Sequence, residues 1–227
     1  MQILSPSRCP DPQAPLVPHP ARRRSEVERL FRQRGTPAVF ARNRMIAAEQ
    51  EPVVHVYRIE SGFVRCCSYT RDGLRQIFAF AGPGDLLGFP DVGAWHFTAE
   101  AVDRVSGRAL KSEALDTAIA AEPGVSLDLR RHCVRQFQRR ERHLVWLSYL
   151  QSDERLLAFL EDFEEQARRE DGYCRLPMTR LDIGDHLGMS LETVSRSLGS
   201  LRQKGAILMD GRSRYRVCRR DEVSPAA

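Results

Sequence analysis

The sequence predicts an α+β chain in three parts: a β-rich N-terminal domain, a long helix, and a helix-turn-helix followed by a β-wing. Three observations carry this. Between residues 36 and 112, short β-prone runs alternate with turn signals every 8 to 12 residues, the pattern of a sandwich, barrel or jelly roll. Residues 123–150 then run without an internal helix breaker. Residues 179–217 read as helix, glycine turn, helix and hairpin.

Taken in order, residues 1–20 hold six prolines and no apolar h-region, so they are expected to form a disordered lead-in to residue 25 rather than a signal peptide. "ARRRSEVERLFRQR", 21–34, predicts a short amphipathic helix burying Val27, Leu30 and Phe31. "VVHVYRIESGFVRCCSYT" gives two strands broken at Ser61-Gly62, "RQIFAFAGPGDLLGF" a strand ending in a Gly-Pro-Gly turn, and "HFTAEAVDRVSGRAL" further short strands. In the long helix Leu129, Cys133, Phe137, Leu144 and Leu147 fall near a heptad-like stripe interrupted by Arg140. At about 1.5 Å per residue such a helix is roughly 37 Å long. It is either a connector packed on its own β-domain or a coiled-coil-like dimerisation helix, and its length favours the second. "DERLLAFLEDFEEQARR" aligns Leu156, Leu160 and Phe163 on one side of a further helix.

The C-terminal unit starts at Thr179, a plausible N-cap with Asp182 three residues on. Ile183 and Leu187 form the buried side of its first helix, and Gly188 can take the left-handed conformation that ends it. Ser190 caps the second helix, which Val194, Leu198 and Leu201 pin to the core. Asp210-Gly211 between two alternating runs predicts the hairpin of the wing.

Charge and cysteine usage narrow the function. The net charge is +5, and 33 of the 35 basic residues are Arg. Residues 151–170 carry a net −4 and residues 171–220 a net +5, a basic C-terminal block of the kind a nucleic-acid module presents. No run of about 18 apolar residues exists, which predicts a cytoplasmic protein with no membrane partner. The six cysteines have no repeated spacing or C-x-x-C, and adjacent Cys66 and Cys67 point to opposite faces of a strand. A multi-cysteine metal or iron–sulfur site is not expected. Without a nucleophile–base set, P-loop or metal-ligand cluster, the chain is not expected to be an enzyme or to carry a cofactor.

The second helix of the C-terminal unit shows a polar face opposite its apolar one: Glu192, Ser195 and Arg196, with Gly199 beyond them. A recognition helix puts these N-terminal positions against base edges in the major groove. Arg bonds guanine O6 and N7 in a bidentate way, Glu accepts from cytosine N4, and Ser bonds either a base edge or a phosphate. A carboxylate facing DNA is repelled by phosphates, so Glu192 must read a base or orient Arg196 at i+4. The bland alternatives are a helix-dipole contact and a surface ion pair. Gly199 leaves room for the DNA backbone. Thr179, Arg180, Ser190, Thr193, Arg202, Arg212, Arg214 and Arg216 are candidates for phosphate contacts, which position the protein without specifying sequence.

"DIGDHLGMSLETVSRSLGSLRQKGAI" resembles the helix-turn-helix of the CRP/FNR transcription regulators, and Glu192, Ser195 and Arg196 match the E-x-x-S-R set of the FNR and FixK branch. "VYRIESGFVR" and "GPGDLLGF" resemble that family's β-roll. The resemblance implies a double-stranded β-helix (jelly-roll, cupin-like) domain over 26–122, of the cyclic-nucleotide-binding type. It further implies a dimerisation helix over 123–150 and a winged helix-turn-helix over 151–227. It also implies a homodimer on a TTGAT-N4-ATCAA-like inverted repeat of double-stranded DNA, a contact with RNA polymerase, and activation of low-oxygen genes. Ser195 and Arg196 would read the TTG portion, and Glu192 its G·C pair.

The sequence also departs from the family. Members that bind cyclic nucleotides carry Gly-Glu and Arg-Ser/Thr-Ala, whereas the matching stretches here are Gly84-Asp85 and Phe97-Thr98-Ala99. Phe97 cannot replace a phosphate-binding guanidinium. Only Cys9 lies near the N-terminus, too few thiols for a sensing cluster. Both departures imply a FixK-like regulator controlled through its abundance. The alternative is a sensor with haem on His55, His96 or a roll cysteine, or a thiol switch at Cys174.

Overall fold

The computed structural model describes residues 25–89, 93–167 and 169–218. The expected disordered lead-in, apart from Ser25, and Cys9 lie outside the described residues. Helix α1 (Glu26–Arg34) is capped by Ser25, whose Oγ accepts from the Glu28 N–H, and buries Val27, Leu30 and Phe31. The strands that follow are β1 (Thr36–Phe40), β2 (Met45–Ala47), β3 (His55–Ser61), β4 (Val64–Tyr69), β5 (Arg75–Ala81), β6 (Leu86–Leu87), β7 (Thr98–Ala101) and β8 (Val105–Lys111). They form two antiparallel sheets, ordered β1-β8-β3-β6 and β2-β7-β4-β5. Successive strands mostly change sheet, so the chain winds around a shared interior as a jelly roll. Closing the runs onto each other in this way turns one side of most strands toward the interior.

The interior between the sheets is small and aromatic: Ile59, Val64, Cys66, Leu87, Trp95, Phe97 and the alanines of β7 are all buried there. The outer face of the first sheet is covered by α1, by α2 (Ser112–Ala121) and by the start of α3 (Pro123–Tyr149). Helix α2, absent from the sequence expectations, buries only Leu115 and Ala118. So short an apolar repeat is a weak periodic signal.

Two stripes run along opposite sides of α3. Val125, Leu129, His132, Gln136, Arg139, His143 and Trp146 turn inward, and all are buried or half-buried. Leu127, Val134, Phe137 and Leu144 turn outward, with Phe137 63% and Leu144 62% exposed. This corrects part of the expected dimerisation set. Leu129, only 7% exposed, belongs to the core that joins α3 to α1 and the roll. Leu147 is half-buried, close to Gly188 of the C-terminal domain. The reason is geometric. A repeat of four residues drifts about 40° per step on a 3.6-residue helix, so Leu129, Cys133 and Phe137 do not share a face. Leu129 and Leu147, five turns apart, do share one, and it points inward. Cys133 is exposed beside the outward stripe.

After α3 come α4 (Ser152–Gln166), β9 (Arg169–Glu170), β10 (Tyr173–Arg175), α5 (Arg180–Leu187), α6 (Leu191–Gln203), β11 (Ile207–Asp210) and β12 (Arg214–Val217). The four strands make a small sheet ordered β11-β12-β10-β9. Leu156, Leu160, Ile183, Leu187, Val194, Leu198, Leu201 and Tyr215 form the core of this unit. The core continues into the roll through Phe63, whose ring lies 4.8 Å from that of Phe163.

Candidate nucleic-acid interface

Local chemistry fixes the two helices that build the interface. Thr179 Oγ1 accepts from the Asp182 N–H at 3.0 Å, and Asp182 Oδ2 accepts from the Thr179 N–H at 3.0 Å. This reciprocal cap starts α5. Gly188, at φ 63°, ends it in the left-handed region that favours glycine. Ser190 then starts α6, its Oγ accepting from the Thr193 N–H at 3.1 Å. Val194, Leu198 and Leu201 are buried, which forces the opposite side of α6 to face outward.

On that side Glu192 and Arg196 are exposed and Ser195 half-exposed. The Glu192 carboxyl is held below the usual carboxylate range, chiefly by its own backbone N–H at the helix start, then by the Ser190 hydroxyl, with Arg196 a smaller contribution. The carboxylate therefore stays charged near the helix N-terminus. Among the described residues no ion pair joins it to Arg196, so the surface salt-bridge alternative does not account for the pair. Arg196 instead donates from Nη2 to Thr193 Oγ1 at 3.4 Å, and the Thr193 and Ser190 hydroxyls lie 3.0 Å apart. This short relay steers the guanidinium and leaves most of its donors facing outward.

Arg180, Ser195, Gly199 and Arg202 line an open cleft between α5, α6 and the wing, with Leu198, Met209 and Gly211. A Cβ built on Gly199 would meet nothing within 4 Å. Glycine is thus not required there by the protein's own packing. Arg212 is exposed at the tip of the wing. Arg214 is engaged differently: its Nη1 pairs with Asp210 at 2.7 Å and its guanidinium lies over the Tyr173 ring. It braces the wing while Arg212 projects from it. Arg216 is half-buried on the same strand.

Leu191 is a residue the sequence reasoning passed over. It follows the cap Ser190 directly and is exposed beside Glu192. An apolar side chain at this place can pack on a thymine methyl group. Its signal in the sequence is that it falls outside the Val194, Leu198 and Leu201 stripe.

The roll interior is filled by the protein's own side chains. Phe97 is 7% exposed and meets Phe78 and Trp95 edge to face, at centroid distances of 5.4 and 5.5 Å. Asp85 accepts from the Gly82 N–H at 2.9 Å and from Gln136 Nε2 at 2.7 Å, and it pairs with Arg139 at 3.2 Å. The acid at the position where the resemblance places a ligand-binding Glu is thereby tied to α3. Of the haem candidates, His55 is half-buried on β3 and His96 lies at the surface against Phe97. Cys66 and Cys67 are both buried, Cys66 in the aromatic interior. Burial raises both thiols, Cys67 to about 11, so neither is a ready thiolate. Cys174 is buried in the core of the C-terminal domain, away from oxidants in solution.

Comparison with known proteins agrees with this anatomy. A cyclic nucleotide-binding domain model matches residues 37–122 and a Crp-like helix-turn-helix domain model residues 154–223. The chain is 36% identical over 191 residues to the nitrogen fixation regulation protein FixK of Azorhizobium caulinodans, covering 82% of this chain and 76% of the relative. It is 31% identical to FixK of Bradyrhizobium diazoefficiens, covering 79% of this chain and 77% of the relative. The solved structure of FixK2 from Bradyrhizobium japonicum superposes with a TM-score of 0.78 at 31% identity, covering 85% of this chain and 99% of that one. With both domain models matched in order and similarity running through the roll, the long helix and the DNA-binding unit, the chain belongs to the CRP/FNR family of DNA-binding transcription regulators, among the FixK proteins.

Proposed function

We propose that this protein acts in the cytoplasm as a homodimer on a TTGAT-N4-ATCAA-like inverted repeat, where it activates low-oxygen genes through contact with RNA polymerase and needs no small-molecule effector. One observation carries the reading. The helix that packing locks in place points Glu192, Ser195 and Arg196 outward, and no packing need of the protein explains those three residue types together. Arg196 and Ser195 read the TTG portion, Glu192 its G·C pair, and Leu191 a thymine methyl. Thr179, Arg180, Ser190, Thr193, Arg202 and Arg212 meet phosphates. Leu127, Val134, Phe137 and Leu144 form the dimer face, where residues seven apart meet their counterparts across a twofold axis. The aromatic filling of the roll interior supports independence from cyclic nucleotides.

The test is Arg196→Ala and Glu192→Ala on the inverted repeat and on a scrambled duplex, read by fluorescence anisotropy. Each lost base contact is worth about 1–3 kcal/mol per half-site, so dimer binding should weaken at least roughly thirtyfold on the repeat. Equal weakening on the scrambled duplex would show that these residues touch only phosphates. Phe137→Glu combined with Leu144→Glu should yield protomers in sedimentation. A persistent dimer would place the interface elsewhere.

A further inference from the structure

Beside the apolar Phe63–Phe163 contact with α4, the roll holds α5 of the DNA-binding unit through an ionic and hydrogen-bonded cluster. Arg75, at the start of β5, places Nη2 2.8 Å from Asp182 Oδ1 and donates from Nε to Asp185 Oδ2 at 2.8 Å. Arg65 on β4 reaches the same Asp182 oxygen at 3.4 Å. Gln76 Nε2 donates to the Asp185 carbonyl at 2.8 Å, and His186 Nδ1 donates to the Ile77 carbonyl at 3.0 Å. The Asp182 side chain is 3% exposed, and its second oxygen is the one that caps α5 through Thr179. One buried carboxylate thus both starts α5 and fastens it to two roll strands.

Ile183 and Leu187 of α5 share a core with Val194 and Leu198 of α6. Whatever fixes α5 therefore fixes α6. The roll is in turn fastened to α3 through Asp85, Gln136 and Arg139. Contacts thus link α3 to the roll, the roll to α5, and α5 to the recognition helix. Buried ion clusters contribute little net stability, and geometric specificity is the better-attested use for them.

We propose that Arg65 and Arg75 are positioning residues for DNA binding: they set the angle and separation of the two recognition helices in the dimer, and so fix the spacer the protein accepts. This rests on the inverted-repeat reading above. Neither arginine needs to touch DNA. One added base pair turns the far half-site by about 34° and moves it about 3.4 Å, which a rigid pair of heads cannot follow.

The experiment measures binding of wild type and Arg75→Ala to four duplexes: the repeat with spacers of three, four and five base pairs, and a duplex with one half-site at low salt. Thermal unfolding and sedimentation of each protein accompany the titrations. Wild type should prefer the four-base-pair spacer by at least roughly thirtyfold. In Arg75→Ala that preference should shrink at least roughly fivefold, with single half-site binding within about twofold of wild type. If Arg75→Ala does not fold, Arg75→Lys takes its place, because one ammonium cannot bridge both carboxylates as the guanidinium fork does. An unchanged spacer preference in the folded variant would overturn the proposal. So would equal losses on every duplex, which would mark Arg75 as a folding residue only. A wild type that ignores the spacer altogether would overturn the inverted-repeat reading itself, and the positioning role with it.

Discussion

The interior of the roll and the outer side of α6 are built in opposite ways. In the roll, Phe78, Trp95 and Phe97 pack edge to face, and the one acid at the matching ligand position, Asp85, is consumed by Gln136, Arg139 and a backbone N–H. On α6, Glu192, Ser195 and Arg196 face outward, and a hydrogen bond to Thr193 of its own helix steers Arg196. The chain has spent its polar groups inward in the domain that elsewhere senses and kept them outward in the domain that reads. On the proposed reading, Phe97 fills with core the place where a phosphate-binding guanidinium would otherwise stand.

The comparison can be broken from either side. The largest effect is expected in the roll. Phe97→Ala removes a buried ring packed against Phe78 and Trp95 and should cost about 3–5 kcal/mol of stability by chemical denaturation. Its affinity for the repeat, measured where it is still folded, should stay within about twofold of wild type. A large loss of affinity with little loss of stability would show that the roll interior transmits a signal after all. The losses expected for Arg196→Ala and Glu192→Ala come next and should reverse the pattern, with affinity gone and stability kept. The smallest effect sharpens the contrast. Gly199→Ala meets open space and favours the helix, so it should stabilise the protein by up to about 1 kcal/mol. The same methyl group should weaken DNA binding several-fold if the phosphate backbone passes over it. Unchanged affinity would mean that DNA keeps its distance from that turn of α6.

Much of this architecture was legible in the residues themselves. The strand runs, the helix starts at Thr179 and Ser190, the left-handed stop at Gly188 and the Asp210-Gly211 hairpin are local decisions, and the structure makes each of them where the sequence places it. The polar side of α6 followed from the same periodicity that buries Val194, Leu198 and Leu201. What the sequence hid is relational. Leu129 looks like part of an exposed stripe until α1 and the roll are in place to cover it. Arg65 and Arg75 look like ordinary strand arginines, and only the fold brings them to Asp182, 117 and 107 residues away. The filling of the roll was half visible: Phe97 announced the loss of a phosphate ligand, but not that its ring would be clamped between Phe78 and Trp95. The tie from Asp85 to α3 had no local signal at all.

The central claim is a closed sensor paired with an open reader. Its most direct test is binding of the purified dimer, in air and with no added ligand, to the TTGAT-N4-ATCAA duplex, repeated with cyclic AMP in excess. The structure predicts tight, sequence-specific binding in the first titration and the same curve in the second. Binding that emerged only once cyclic AMP was present would contradict it.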